Sequence, residues 1–224
     1  MTMEQPDSPR ALVFDFDGLI LDTETPQLRA WQEEFAAHGG TLTAADWAHV
    51  IGSTDSGWDP AVELGRQTGR SYDREELRAA WKPRKDELLE RETIRPGVLG
   101  LLKAAGLCGM RLGVASSSPR WWVRDHLERL GILGLFNALA TGDEVERTKP
   151  DPAVYLLALE RLAVPAKAAL ALEDSPNGVR AAQAAGMRCV AVPNEVSRHL
   201  DLSAADALLG SLGELDLGAL PFTS

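Results

Sequence analysis

Four short clusters hold the residues able to do chemistry: Asp15-Phe16-Asp17-Gly18, Ser116-Ser117-Ser118, Lys149-Pro150 and Glu173-Asp174. Acids packed this closely repel one another and lose hydration, so they need a compensating cation or a reaction that uses them. Two or more carboxylates make a hard oxygen site suited to Mg²⁺. An ammonium and a hydroxyl can hold phosphate oxygens, helped by backbone N–H groups near helix N-termini. A carboxylate close to phosphorus can attack it, and a second acid can protonate the leaving oxygen and later activate water. The combination points to phosphoryl transfer. Each cluster also has a plainer reading, as an acidic turn, a polar loop, a solvated lysine or a helix cap. Their joint occurrence in this order is what favours chemistry.

The clusters follow short apolar runs. Ala11–Asp15, Arg111–Ala115, Asn137–Ala140, Ala169–Glu173 and Arg188–Val192 read as strands, and Gly97–Ala105, Pro119–Leu130, Pro152–Ala163 and Pro176–Ala185 read as helices between them. Such alternation predicts an α/β fold: a Rossmann-like parallel sheet covered by helices on both faces, with ligands beyond the C-terminal strand ends. Three helices start on a polar residue followed by proline, at Ser118-Pro119, Asp151-Pro152 and Ser175-Pro176, so these polar residues are expected as caps. Residues 23–91 show helical patterns and no convincing strand, and they hold Trp31, Trp47, Trp58 and Trp81 of the six tryptophans. They are expected to form a helical domain inserted into an α/β core made of residues 1–22 and 92–224.

Bulk composition narrows the classes. The 224 residues carry 23 Lys plus Arg against 33 Asp plus Glu, a net charge of −10, which argues against a nucleic-acid partner. The first ten residues are polar and hold two prolines, so no secretory leader is expected. The most apolar stretch, Val98–Ala115, is broken by Lys103 and Arg111, so no membrane span or membrane partner is expected. Cys108 and Cys189 have no metal-ligand spacing and read as reduced thiols of a cytoplasmic protein.

The stretches DFDGLILDTE, VASSS, KPDP and LEDSPNGV resemble the four motifs of the haloacid dehalogenase (HAD) superfamily, and the insert after the first motif resembles its type I cap domain. The resemblance extends to phosphoglycolate phosphatases and β-phosphoglucomutase-like phosphatases of subfamily I. It implies a HAD-like hydrolase with Asp15 as nucleophile and Asp17 as general acid/base. Ser116, with Ser117, and Lys149 would hold the phosphate. Mg²⁺ would be bound by the Asp15 carboxylate, the Asp17 carbonyl, Asp174 and Glu173. The implied function is Mg²⁺-dependent hydrolysis of a small phosphorylated metabolite through a phosphoaspartate.

Alternatives can be ranked. The dehalogenases carry one motif aspartate, so Asp17 argues against their reaction. Phosphonatases use a cap lysine, and no lysine precedes Lys82. A β-phosphoglucomutase-like mutase must grip a second phosphate, yet the cap loop Ile51-Gly52-Ser53-Thr54-Asp55 has no cation. Gln27 also stands where those enzymes carry a histidine. Pro119-Arg120 replaces their Lys-Asn pair, leaving Arg120 as a candidate for a distal anion. A non-catalytic binding module is disfavoured because Asp15 and Lys149 are both present. Substrate choice is expected to lie in Gln27, Thr54, Asp55, Ser56 and Trp58.

Overall fold

The computed structural model describes residues 10–48, 50 and 57–218. The chain divides into two compact units, one drawn from Met1–Leu21, Ile94–Pro193 and Asp201–Ser224, the other from Asp22–Thr93 and Asn194–Leu200.

Strands β1 (Ala11–Phe14), β2 (Arg111–Ala115), β3 (Ala138–Ala140), β4 (Ala169–Glu173), β5 (Arg188–Ala191) and β6 (Ala207–Leu208) form the sheet of the first unit. Its order is β3-β2-β1-β4-β5-β6, and every pairing is parallel. β1 therefore lies between β2 and β4. The chain extends the sheet to one side of β1 and then to the other, so the order reverses there, and a ligand crevice forms beyond the strand ends at such a point. β6 has no sequence signal, being two exposed residues.

Side-chain alternation decides which residues reach that crevice. Ala11 pairs with Ala169 and Val13 with Ala171, and all four lie in one buried cluster with Ala115, Ala138 and Ala140. These small side chains let α7 (Ala153–Leu162) and α8 (Pro176–Ala184) pack close to the sheet. Gly113 leaves room for Leu162, since a Cβ there would lie 2.9 Å from Leu162 Cδ1. One step of two residues further along this face are Asp15 on β1's end and Glu173 on β4.

Helix starts follow the proline signals in part. Ser175 Oγ accepts from the Gly178 N–H at 3.1 Å, with Pro176 as the first residue of α8. α6 (Arg120–Arg129), by contrast, begins after Pro119, with no side-chain cap from that residue. Its Arg120 N–H goes to Asp143 Oδ1 at 3.0 Å. Ser118 is thus not a cap, because its hydroxyl is committed to Asp17. α7 likewise starts one residue after Pro152, and Asp151 Oδ1 accepts from the Ala153 N–H at 3.0 Å. α5 (Val98–Leu107) precedes β2.

The second unit consists of α1 (Glu24–Ala37), α2 (Ala44–Ala48), α3 (Pro60–Thr68) and α4 (Arg74–Arg91). Asp59 and Asp73 cap α3 and α4 through their carboxylates. Its core is aromatic. Trp31 stacks on Trp81 at 5.0 Å, and Trp58 meets Trp31 at 5.6 Å and Trp47 at 5.2 Å. Val196 belongs to this core and Leu200 packs against it. The buried Asn194 amide donates to Glu24 Oε2 at 2.9 Å. The segment Asn194–Leu200 is therefore part of this unit although it follows β5 in sequence.

Leu162, 1% exposed and seated over Gly113, gives a test of the packing that sets the face carrying Asp15 and Glu173. Leu162→Ala should lower the unfolding free energy by about 2–5 kcal/mol in a urea titration. A midpoint equal to that of the parent protein would contradict the interlock of α7 with β2.

Candidate active site

The backbone around the candidate site stays in the sheet's hydrogen-bond ladder. Asp15 N–H donates to Leu172 O at 2.9 Å, Ser116 N–H to Ala140 O at 3.0 Å and Val192 N–H to Glu173 O at 2.7 Å. The side chains thus leave rigid strand ends rather than a pliable loop. Immediately after Asp17 the chain turns. Gly18 has φ +84°, a conformation that suits glycine. Its carbonyl accepts from Arg95, whose guanidinium also reaches the Val192 carbonyl at 3.3 Å and the Pro193 carbonyl at 2.9 Å. Arg95 ties the acidic turn to the end of β5.

At the centre is Lys149. Its Nζ donates to Asp15 Oδ1 at 2.5 Å and to Glu173 Oε1 at 2.6 Å. Lys149 is 8% exposed, Asp15 6% and Glu173 fully buried. Tyr155, in the first turn of α7, donates its hydroxyl to the same Glu173 oxygen at 2.7 Å, and its ring lies 4.9 Å from the ammonium. The other Glu173 oxygen accepts from the N–H groups of Asp174 and Ser175 and from Ser175 Oγ, at 3.1, 3.3 and 3.2 Å. A Cβ on Gly178 would fall 1.9 Å from this carboxyl group, so only glycine fits there while Glu173 keeps its place.

Charge in this cluster does not balance. Asp15, Glu173 and Asp174 bring ligand oxygens within 4.8 Å of one another, and Lys149 supplies one ammonium. Burial pushes the Asp15 carboxyl well above its ordinary range, with Lys149 acting in the opposite direction. The two carboxylates beside Lys149 outweigh its own desolvation and hold its ammonium above the usual lysine range. Lys149 is charged, and three acids against one ammonium leave the cluster short of positive charge. All-oxygen donors in that state fit a hard divalent cation.

Asp17 points elsewhere. Its Oδ2 accepts from Ser118 Oγ at 2.6 Å and Ser116 Oγ at 3.3 Å, and its Oδ1 accepts from Trp122 Nε1–H at 2.9 Å. Its carboxylate is outside the three-acid cluster. Ser116 is buried, and its Oγ accepts from the Ser118 N–H at 3.0 Å. Ser117 is exposed. The structure thus brings Asp15, Lys149, Glu173 and Asp174 together, with Asp17 and Ser116 in a second, linked group.

Sequence reasoning missed Tyr155, Trp122, Gly178 and the true role of Ser118. Tyr155 and Trp122 look like ordinary core aromatics of a helix. Only the polar ends of their rings, a few residues after Lys149 and after the serine run, hint otherwise. Arg120 is not free for a distal anion. It pairs with Glu144 at 3.3 Å, and Arg161 holds the same carboxylate at 2.9 Å. These arginines, chiefly Arg161 through its hydrogen bonds, draw the Glu144 carboxyl down to about 2. Trp58 sits in the aromatic core of the second unit. The Gln27 amide donates to Thr23 O at 3.0 Å, at the start of α1. Thr54, Asp55 and Ser56, with the rest of Ile51–Ser56, lie outside the described residues.

Residues 12–192 match the sequence profile of the haloacid dehalogenase-like hydrolases, and the chain belongs to that family. Over 211 residues it is 44% identical to a Bacillus subtilis protein named "Putative phosphatase YhcW", covering 94% of this chain and 96% of the relative. It is 31% identical to hexitol phosphatase B of Escherichia coli, covering 95% of this chain and 97% of that protein. Among solved structures, CbbY from Rhodobacter sphaeroides in complex with xylulose-(1,5)bisphosphate superposes with a TM-score of 0.69 at 32% identity. That match covers 92% of this chain and 96% of CbbY.

Removing the central cation should expose the imbalance. Lys149→Met strands two buried carboxylates and should lower stability at neutral pH by about 3–5 kcal/mol, with Lys149→Met/Glu173→Gln recovering part of the loss. The sign with pH follows from Asp15. Its folded pKa lies above an unfolded value of about 3.9. Its contribution is therefore full below that value and is lost as pH rises through the folded pKa. The Lys149→Met deficit should accordingly narrow on acidification. Urea midpoints at neutral and acid pH that match the parent protein would show that Lys149 does not neutralise the cluster.

Proposed function

We propose that this hydrolase is a phosphatase acting on a small phosphorylated metabolite through a covalent phosphoaspartate on Asp15. The observation that carries the reading is Lys149 bridging Asp15 and Glu173 at the ends of adjacent strands. Relatives named phosphatases support it.

In this mechanism Asp15 attacks phosphorus and forms an acyl phosphate while the bond to the ester oxygen breaks. Asp17 gives that oxygen its proton. In the second half Asp17 takes a proton from water, which attacks phosphorus and breaks the Asp15–phosphorus bond. Lys149 keeps Asp15 oriented and offsets phosphoryl charge. Ser116, with Ser117, supplies hydroxyls to the phosphate oxygens. Asp15, Glu173 and Asp174, with the Asp17 carbonyl, would hold Mg²⁺. When bound, the ion neutralises phosphoryl oxygens and relieves the charge deficit of the three acids.

For substrate class we propose a phosphorylated sugar or polyol. The basis is the hexitol phosphatase relative and the sugar bisphosphate bound to CbbY. The mutase alternative loses its candidate phosphate grip, because Arg120 is paired with Glu144. The helical unit is assigned as the cap, and the α/β unit as the catalytic core. The proposed location is the cytoplasm, a reading supported by the two unpaired thiols, Cys108 and Cys189. Among the described residues no helix is long and apolar enough to cross a membrane.

Two measurements test this. Asp15→Asn should keep the parent circular-dichroism spectrum and lose hydrolysis across a panel of sugar and polyol phosphates by at least about 10³-fold. Retained turnover would rule out Asp15 as nucleophile. Independently of turnover, Mg²⁺ should raise the unfolding temperature of the parent protein, and Asp174→Asn should abolish that rise. An equal rise in both proteins would place the ion elsewhere.

A further inference from the structure

Asp17 is held by one short segment of the same unit. Trp122, in the first turn of α6, donates its indole N–H to Asp17 Oδ1 at 2.9 Å, and Ser118 donates to Oδ2 at 2.6 Å. The residue between the two motif acids is docked on the same helix. Phe16 stacks on His126 at 6.1 Å, and His126 meets the Trp122 ring edge-on at 4.3 Å. Side chain and backbone of the acidic turn are therefore both referenced to α6.

We propose that Trp122 is a positioning residue for Asp17, fixing the orientation from which its carboxylate exchanges a proton with the leaving oxygen. This rests on the reading of Asp17 as the general acid/base. The indole suits the task because it is rigid and its nitrogen can only donate. Oδ1 is therefore kept as an acceptor. Oδ2 faces the Ser118 and Ser116 hydroxyls, which can turn to donate or accept, and it remains the oxygen for proton exchange. A phenylalanine would fill the space against His126 but remove the donor that fixes Oδ1, leaving Asp17 held through Oδ2 alone.

The test is Trp122→Phe. For an alkyl phosphate, whose leaving oxygen needs a proton, kcat/KM should fall about tenfold or more, because misdirected general acid catalysis is felt there. For an aryl phosphate with a good leaving group, kcat/KM should stay within about twofold of the parent protein, because kcat/KM reports phosphoryl transfer to Asp15 and not the later attack of water that both esters share. Equal losses on both esters, or no loss on either, would overturn the proposal. A spectroscopic arm is independent of turnover. The Trp122 indole N–H resonance, identified by its absence from Trp122→Phe, should shift in Asp17→Ala while those of the other five tryptophans hold. An unmoved resonance would overturn the proposal as well. Absence of hydrolysis by the parent protein would instead strike the phosphatase reading, leaving the resonance to decide the contact.

Discussion

The ammonium of Lys149, buried between Asp15 and Glu173, is the interaction on which the rest of the site depends. Without it, two carboxylates at the ends of neighbouring strands would face each other in a desolvated space. With it, the three acids of the cluster still outnumber the ammonium, and that surplus of oxygen donors suits a further cation. Tyr155 and the backbone N–H groups after Glu173 occupy both of its oxygens. Glu173 therefore serves first to hold the lysine.

The sheet order supplies the geometry. β1 and β4 are adjacent only because the chain reverses its direction of growth at β1. Parallel register then puts residues of the same parity on one face at the same height. Acids separated by more than 150 residues become neighbours without any local sequence relation. The alanine-rich face beneath them lets α7 approach, and α7 carries Tyr155 to Glu173. α6, on a different side of the acidic turn, carries Trp122 to Asp17. The two acids of one short motif are thus assigned to different supports.

Much of this was legible in the sequence where the signal was local. β2 and β4 match their apolar runs residue for residue. The parallel α/β arrangement and the family follow from the alternation and the four motifs. What was not legible depended on three-dimensional placement. Ser118 read as a cap because serine before proline usually is one, but a carboxylate 101 residues away claims its hydroxyl. Arg120 read as a candidate anion ligand because its partner Glu144 is distant in sequence. Trp58 read as substrate-facing from its loop, and its packing against Trp31 and Trp47, which leaves it half-buried, had no local signal. Tyr155 and Trp122 were hidden by their own hydrophobicity, since an aromatic ring on a helix looks like packing until its polar end finds a partner.

Asp15 is proposed to become phosphorylated and dephosphorylated within one catalytic cycle. The most direct measurement is the stereochemical course at phosphorus, using an ester with a chiral, isotopically labelled phosphoryl group. Two successive in-line displacements, one by Asp15 and one by water, predict net retention of configuration. Net inversion would mean a single direct attack by water, and would contradict the covalent role assigned to Asp15.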